Sequence, residues 1–468
     1  MLWKLIGERK GFDWLTFAIY LSLVTIGVLS LYSVLYSKDE NTPVFSLNNE
    51  LGRYMIFVVL SLFLFFIVYL IEWKFWYTFA YPIYFLSIIL LVGVLIFGAE
   101  IKGSKSWFII GGFSFQPSEF AKFGTALALS SYLAHYKNNL KNIGNILQAF
   151  MLIFIPVILI LLQPDAGSAM VFFSLLIVMY RAGFTPLFYI ITGLLAATFI
   201  TTLIYNPYIV SLVTLAISFV LLALFFLRDK IWYLISALAI GGGVYLFISG
   251  YKSTALLLSL LFLLVFAFLY WLKNRENSVI LIPFTAISII VISFAASYSF
   301  YHILKPHQQD RINVWLNPEK CDPRGSLYNV LQSKTAIGAG GFTGKGFLKG
   351  NMTHLNFVPE QATDFIFSAI GEEQGFIGVA GIIILYLLLL LRIIAIAERG
   401  KTLFITYYAY AVAGYIFFHF FMNIGMNMGL VPVVGIPLPF ISKGGSSLIV
   451  FSIMLAVLLK MDADRKLR

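Results

Sequence analysis

Charge is what this sequence has least of. Only 11% of its 468 residues are Asp, Glu, Lys or Arg, and 60% are hydrophobic. Soluble domains carry about 25% charged and 45–50% apolar residues, so a water-soluble globular chain is excluded. Cysteine is scarcer still: the single Cys321 has no partner for an internal disulfide. Alternating ~10-residue strand patterns are missing, which excludes a membrane β-barrel. No period of 20–50 residues recurs, which excludes a repeat protein. The GxxxxGK[ST] phosphate loop is absent too, so nothing points to a nucleotide. Acidic residues are the rarer sign, 21 against 32 basic, for a net charge of +11. In a soluble chain that excess would suggest nucleic acid. In a membrane chain it is the ordinary excess of Lys and Arg in cytoplasmic loops, and no nucleic-acid partner is expected.

What is present is apolar length. Mean hydropathy is +0.92. Roughly 18–20 consecutive apolar residues cross a ~30 Å hydrocarbon core, and helices satisfy their own backbone there. The sequence predicts an all-α polytopic membrane protein with about fourteen spans, near 12–37, 52–71, 75–98, 118–136, 146–163, 167–181, 186–204, 209–227, 231–249, 254–272, 278–299, 364–392, 402–424 and 441–460. The spans at 118–136 and 167–181 are short or polar and are expected to line the interior. The first span is too long for a cleaved signal peptide. Four segments follow: helices 1–6 in 1–185, a five-helix region in 186–303, a large polar loop in 304–363, and the final helices in 364–468.

Orientation comes from the short loops. Lys4, Arg9, Lys10, Lys74, Arg181, Arg228, Arg275, Arg399 and the tail residues Lys460 and Arg468 fall on one side. That side is the cytoplasm, and an even span count places both termini there. The loop 304–363 then faces outward. Its seven Lys or Arg are no objection, since long loops translocate largely regardless of charge.

Polar residues gather at three places on the outer side. The first runs from Lys102 to Lys122. Pro117 suits a helix start, and Glu119 and Lys122 share a helix face. They read either as an intrahelical ion pair or as a cation shown to an anionic headgroup. Trp107 reads most simply as an interfacial residue. The second is QPDAGSA, Gln163 to Ala169, where Asp165 is a helix N-cap or a substrate contact. The third is the long loop, with Arg311, a glycine-rich stretch from Gly338 to Gly350 carrying Lys345 and Lys349, and VPEQATDFIF. Glycines with lysine can hold phosphate; the alternative is a flexible loop. Asp364 opens an apolar span, as an N-cap or as a general base at the membrane surface. Glu372 and Glu373 lie inside that span and require partners or water. The stretch 423–447 is rich in Gly and Pro. It is expected to break the helix at membrane depth, which is tolerated only within protein or beside a wet cavity.

These texts together resemble the SEDS family (shape, elongation, division and sporulation). The resemblance rests on FQPSEFAK, QPDAGSA, NPEKCDPRG, QSKTAIGAGG, GKGFLKG, VPEQATDFIF, GEEQGF and GIPLPFISKGGSS in that order, and covers residues 10–183 and 304–462. The GKG and NFVPEQ texts look more like the elongation members than the division members. The family implies a peptidoglycan glycosyltransferase that polymerises lipid II beside a class B penicillin-binding protein in the bacterial inner membrane. Its proposed catalytic aspartate falls on Asp364. Its tryptophan, lysine and arginine fall on Trp107, Lys122 and Arg311. Three departures stand out. About four extra spans occupy 186–299 where the family's ten-span plan has one helix, Lys443 replaces the usual tyrosine before GGSS, and Ala362 replaces a usual histidine.

The expected chemistry is attack by a GlcNAc 4-hydroxyl on the anomeric carbon of a second lipid-linked sugar, with inversion. Asp364 would be the base, and cations would offset charge on the diphosphate leaving group. The substrate-binding candidates are Lys122, Glu119, Trp107, Arg311, Asp165, Lys345, Glu360 and Ser446. No dedicated metal cluster is visible; a divalent cation (Mg2+ or Mn2+) remains an open alternative for part of that work. The rival readings are a lipid II flippase and a non-catalytic scaffold for a penicillin-binding protein. The extra spans are expected at the periphery, facing lipid.

Overall fold

A computed structural model describes residues 11–36, 49–101, 103–110, 113–135, 140–226, 230–325, 327–355 and 357–464. Lys4, Arg9, Lys10, Lys102, Arg228 and Arg468 lie outside them. Among the described residues, eleven helices are long and apolar enough to cross a membrane. The predicted spans 167–181 and 231–249 fall on the shorter apolar stretches Ala166–Arg181 and Tyr233–Ile248. The predicted span 118–136 falls on Pro117–Ala134, which carries Glu119 and Lys122. The other eleven predicted spans match those long apolar helices, while these three fall on stretches that are shorter or more polar.

The chain divides into two compact units, 1–184 with 322–468, and 185–321. In the first, the helices Pro117–Ala134, Leu403–Asn427 and Gly445–Asp464 form the interior, and most of their residues are buried. These are the less apolar helices. Leu403–Asn427 has a mean hydropathy of 1.3 with 72% of its span buried, whereas Ile143–Leu162 has 2.6 with 28% buried. Lipid explains the inversion: an apolar side chain loses nothing by facing hydrocarbon, while a polar one must find its partners inside the bundle.

An ion-pair network ties three helix ends together in this unit. Asp13 caps Trp14–Leu35 by accepting the Thr16 amide at 3.2 Å. Its other carboxylate oxygen meets Arg392 at 2.5 Å and Arg399 at 3.2 Å, and Arg399 also reaches Asp462 at 2.5 Å. Burial works against an ionised Asp13. The Arg392 guanidinium and the Thr16 amide outweigh it and hold the carboxyl below its ordinary range.

The fold is mostly helical, as expected, with one addition: Ala99–Ile101 (β1), Ser104–Ile110 (β2) and Phe113–Phe115 (β3) form an antiparallel meander. Glu100 pairs with Lys105, and Phe108 with Phe115. The polar stretch 304–363 carries helices of its own. Its first part is the helix Pro306–Leu316, in the second unit. Its later part holds the helices Tyr328–Ala339 and Asn351–His354, in the first.

The second unit contains the helices Pro186–Ile204, Pro207–Phe226, Lys230–Ile248, Lys252–Asn274 and Leu281–His302. Phe219, Leu222, Leu263 and Ala286 centre its core. Thr202 and Ser293 share a buried hydrogen bond of 2.8 Å, and Asn317 donates to the Leu203 carbonyl at 3.3 Å.

Candidate functional site

The predicted break within 423–447 is real. Leu403–Asn427 ends, and the backbone stays non-helical until the helix Gly445–Asp464. Carbonyls freed at membrane depth are costly unless paired. Here side chains pair them. Asn423 Nδ2 donates to the Ile436 carbonyl at 2.8 Å, and His419 Nδ1 lies 2.9 Å from the Pro437 carbonyl. Tyr386 OH donates to the Pro439 carbonyl.

Residues 434–437 of this segment are the common wall of three polar clusters. At its start, a methyl group on Gly167 would lie 2.4 Å from the Val434 carbonyl oxygen, so the Asp165 turn packs backbone against backbone there. Next, Gly435 has φ +67, and its Cβ position lies 3.3 Å from Asp364 Oδ2. At its end, His419 joins Pro437 to Lys122, whose Nζ is 2.9 Å from His419 Nε2.

Asp364 is not a helix cap. Ile366–Glu398 starts two residues later, with Phe365 at its N-cap position. The aspartate sits in a turn built by Glu360, whose carbonyl accepts the amides of Thr363, Asp364 and Phe365 at 3.2, 3.0 and 3.2 Å. Glu360 holds φ +55 to do so, a left-handed conformation costing a side-chain-bearing residue roughly 1–2 kcal/mol. The Asp364 carbonyl accepts Asn423 at 2.9 Å and Asn427 at 3.1 Å. Backbone strain at Glu360 and two amide side chains on the Asp364 carbonyl thus fix the backbone of Asp364, whose side chain is half-buried.

Lys122 is only 1% exposed and pairs with Glu119 at 2.7 Å. The intrahelical ion pair is therefore the arrangement present, rather than a displayed cation. Its ammonium also lies 5.6 Å from the centroid of the Phe451 ring. Glu119 Oε2 is buried without a hydrogen-bond partner.

Asp165 is an N-cap. Oδ1 accepts the Ser168 amide at 3.0 Å, and Oδ2 accepts Gln116 Nε2 at 2.9 Å. Ser446 Oγ accepts the Gln116 amide and donates to the Ser114 carbonyl, both at 3.2 Å. These bonds fasten β3 and QPDAGSA to the last helix. Trp107 lies half-buried on β2 opposite Ala99, and its strand reaches the same turn through Ser104, which donates to the Gln163 carbonyl at 2.6 Å. Arg311 is exposed on Pro306–Leu316 in the second unit.

The glycine-rich stretch packs against a broken helix. Ile366–Glu398 is broken at Gly375, where φ is +64. The Glu372 and Glu373 carbonyls accept the amides of Lys345 and Gly346 at 3.0 and 2.9 Å. The amides of Phe376 and Ile377 donate to the carbonyls of Gly341 and Phe342 at 2.9 and 3.2 Å. The stretch therefore plugs the helix break. Its glycines permit that: a methyl group on Gly344 would lie 2.1 Å from the Glu373 carbonyl oxygen. Lys345 is paired with Glu372 at 2.6 Å. The same buried carboxylate accepts the amides of Met352 and Thr353, and Ser33 donates to Glu373. Both acids inside the span thus have the partners they require.

Sequence reasoning missed His419 and the roles of Asn423 and Asn427. Their signal was present: three polar residues at intervals of four in an apolar helix share one face.

Comparison with known proteins gives this geometry a family. The sequence profile described as "Cell cycle protein", covering FtsW, RodA and SpoVE, matches residues 13–220 and 226–467. The chain belongs to that family. The match is broader than the two stretches that carry the motifs, since it continues through most of 186–299. Peptidoglycan glycosyltransferase RodA of Treponema pallidum is 32% identical over 462 residues, 97% of this chain and 98% of the relative. Peptidoglycan glycosyltransferase MrdB of Escherichia coli K12 is 30% identical over 82% of this chain and 78% of the relative. Among solved structures, a chain from a peptidoglycan synthase complex coordinating polymerization and crosslinking matches with TM-score 0.62 and 25% identity. That match covers 98% of this chain and 99% of the other. The rod shape determining protein RodA of Thermus thermophilus shares the fold with TM-score 0.56 and 22% identity, over 97% and 98% of the two chains.

Proposed function

We propose that the protein is a peptidoglycan glycosyltransferase of the inner membrane, polymerising lipid II during cell-wall elongation, with Asp364 as general base. The observation that carries this reading is the 434–437 wall, which gathers the Asp364 carboxylate and the His419-bound Lys122 on one short segment. The relatives named for the same activity support it.

In this reading Asp364 takes the proton from the 4-hydroxyl of one substrate as that oxygen attacks the anomeric carbon of the other. The bond to the undecaprenyl diphosphate breaks on the opposite face, so configuration inverts. A base must stand within about 3 Å of its proton or act through one water. Holding the Asp364 turn still removes the cost of ordering it during reaction. Lys122 places fixed positive charge inside the bundle, where low dielectric makes it effective. Trp107 contributes to substrate binding, while Lys345, Asp165 and Ser446 keep the walls in place. Among the described residues no group of three or more His, Cys, Asp or Glu is arranged to hold a metal ion, and no step here is routed through one. Both termini face the cytoplasm, and a class B penicillin-binding protein receives the glycan strand. The additional helices of 186–299 take no part in the chemistry.

The test is the purified protein given fluorescent lipid II in proteoliposomes. A ladder of glycan polymer is expected. Lipid II crossing the bilayer with no polymer would favour a flippase, and neither activity would leave a scaffold.

A further inference from the structure

His419 stands at the junction of the two groups just assigned. It is 1% exposed, on the inward face of Leu403–Asn427. Its protonation pattern follows from its neighbours. Nδ1 is 2.9 Å from the Pro437 carbonyl, which only accepts, so Nδ1 carries the hydrogen. Nε2 is 2.9 Å from Lys122 Nζ, and an ammonium only donates, so Nε2 offers its lone pair. An imidazolium would set a second positive charge against Lys122. The chain of bonds therefore runs one way, from Lys122 to His419 to the Pro437 carbonyl, with Glu119 as the other fixed partner of Lys122.

Pro437 lies two residues from Gly435, whose Cβ position abuts the Asp364 carboxylate. Asn423, one turn along from His419, holds both the Ile436 and the Asp364 carbonyls. One ring thus grips the buried cation with one nitrogen and the wall beside the carboxylate with the other. We propose that His419 is a positioning residue that sets the placement of Lys122 relative to Asp364 through the Pro437 carbonyl. This rests on the functional reading above and adds to it a residue that touches neither reacting atom.

A displacement of about 1 Å in a catalytic group costs on the order of 10²-fold in rate. His419→Phe preserves ring volume and removes both bonds. It should lower the turnover of lipid II polymerisation by roughly that factor, with KM within about twofold, because ground-state binding is not what the ring controls. His419→Gln keeps an acceptor for Lys122 and a donor for Pro437, and should recover most of the lost turnover. The variants are compared as full-length protein in lipid, with monodispersity and thermal midpoint measured alongside. His419→Leu replaces the Phe variant should that one not fold.

Full turnover in His419→Phe overturns the proposal. So does a folded His419→Gln as slow as the Phe variant, or apolar variants that fail to fold while Gln folds, since the ring would then serve stability alone. Asp364→Asn is the control: polymer from that variant would sink the base assignment itself, whereas an inactive Asp364→Asn with a fully active His419→Phe would sink only the role of His419.

Discussion

Asn423 shows what a single amide does in a hydrocarbon environment. It donates to the Asp364 and Ile436 carbonyls from a fully buried position. Asn427 also reaches the Asp364 carbonyl, so removing Asn423 orphans mainly Ile436. A buried carbonyl left unpaired costs about 1–3 kcal/mol. Asn423→Ala should therefore lower the thermal midpoint measurably in detergent and reduce polymerisation at least tenfold, as a thermal melt and a gel assay would show. At this scale the sequence was uneven. Asp364 stood out because an acid beside an apolar run requires a reason. The Glu119–Lys122 pair was legible because three-residue spacing is local. The contact of His419 with Lys122 joins residues 297 positions apart, and no local pattern encodes that.

The helix Ile366–Glu398 and the stretch 341–346 form one element made from two pieces of chain. Four backbone hydrogen bonds replace those lost at the Gly375 break. Glycine density in 338–350 correctly signalled close backbone approach, but not to what. The partner present is a helix backbone. Gly344→Ala brings a methyl group to 2.1 Å from the Glu373 carbonyl oxygen at a residue with φ +80. Left-handed alanine costs roughly 1–2 kcal/mol and overpacking roughly 1–3 kcal/mol. The variant should lose about 2–5 kcal/mol, seen as poor yield or early melting, whereas exposed Lys349→Ala should melt like the wild type. The β-meander escaped sequence reading for a different reason. Its strands are three to seven residues long, too short for a period-2 pattern to stand out between two apolar spans.

Across the whole molecule, the long apolar helices could be read directly, because ~20 residues per crossing is a property of the bilayer. What is buried could not, since apolar content in lipid marks the outside as readily as the inside. The polar residues reverse that ambiguity, and the network of Asp13, Arg392, Arg399 and Asp462 is an example. Removing one member of a buried pair costs roughly 3–5 kcal/mol, so Asp13→Asn should melt well below wild type at pH 7. The Asp13 carboxyl is held below its ordinary pKa. Its stabilisation is complete above the ordinary carboxylate range and is lost as pH falls through the folded-state value. Melting curves of wild type and Asp13→Asn should therefore converge in acid and separate toward neutrality.

The central claim is that Asp364, fixed in its turn against residues 434–437, is the base for glycan polymerisation. Its most direct test is the polymerisation rate of purified Asp364→Asn on lipid II beside wild type of equal thermal stability. The substitution keeps size and hydrogen bonding but cannot take a proton. Polymer should fall at least 10²-fold, with the variant still folded and still binding lipid II. Wild-type polymer from folded Asp364→Asn would contradict the account.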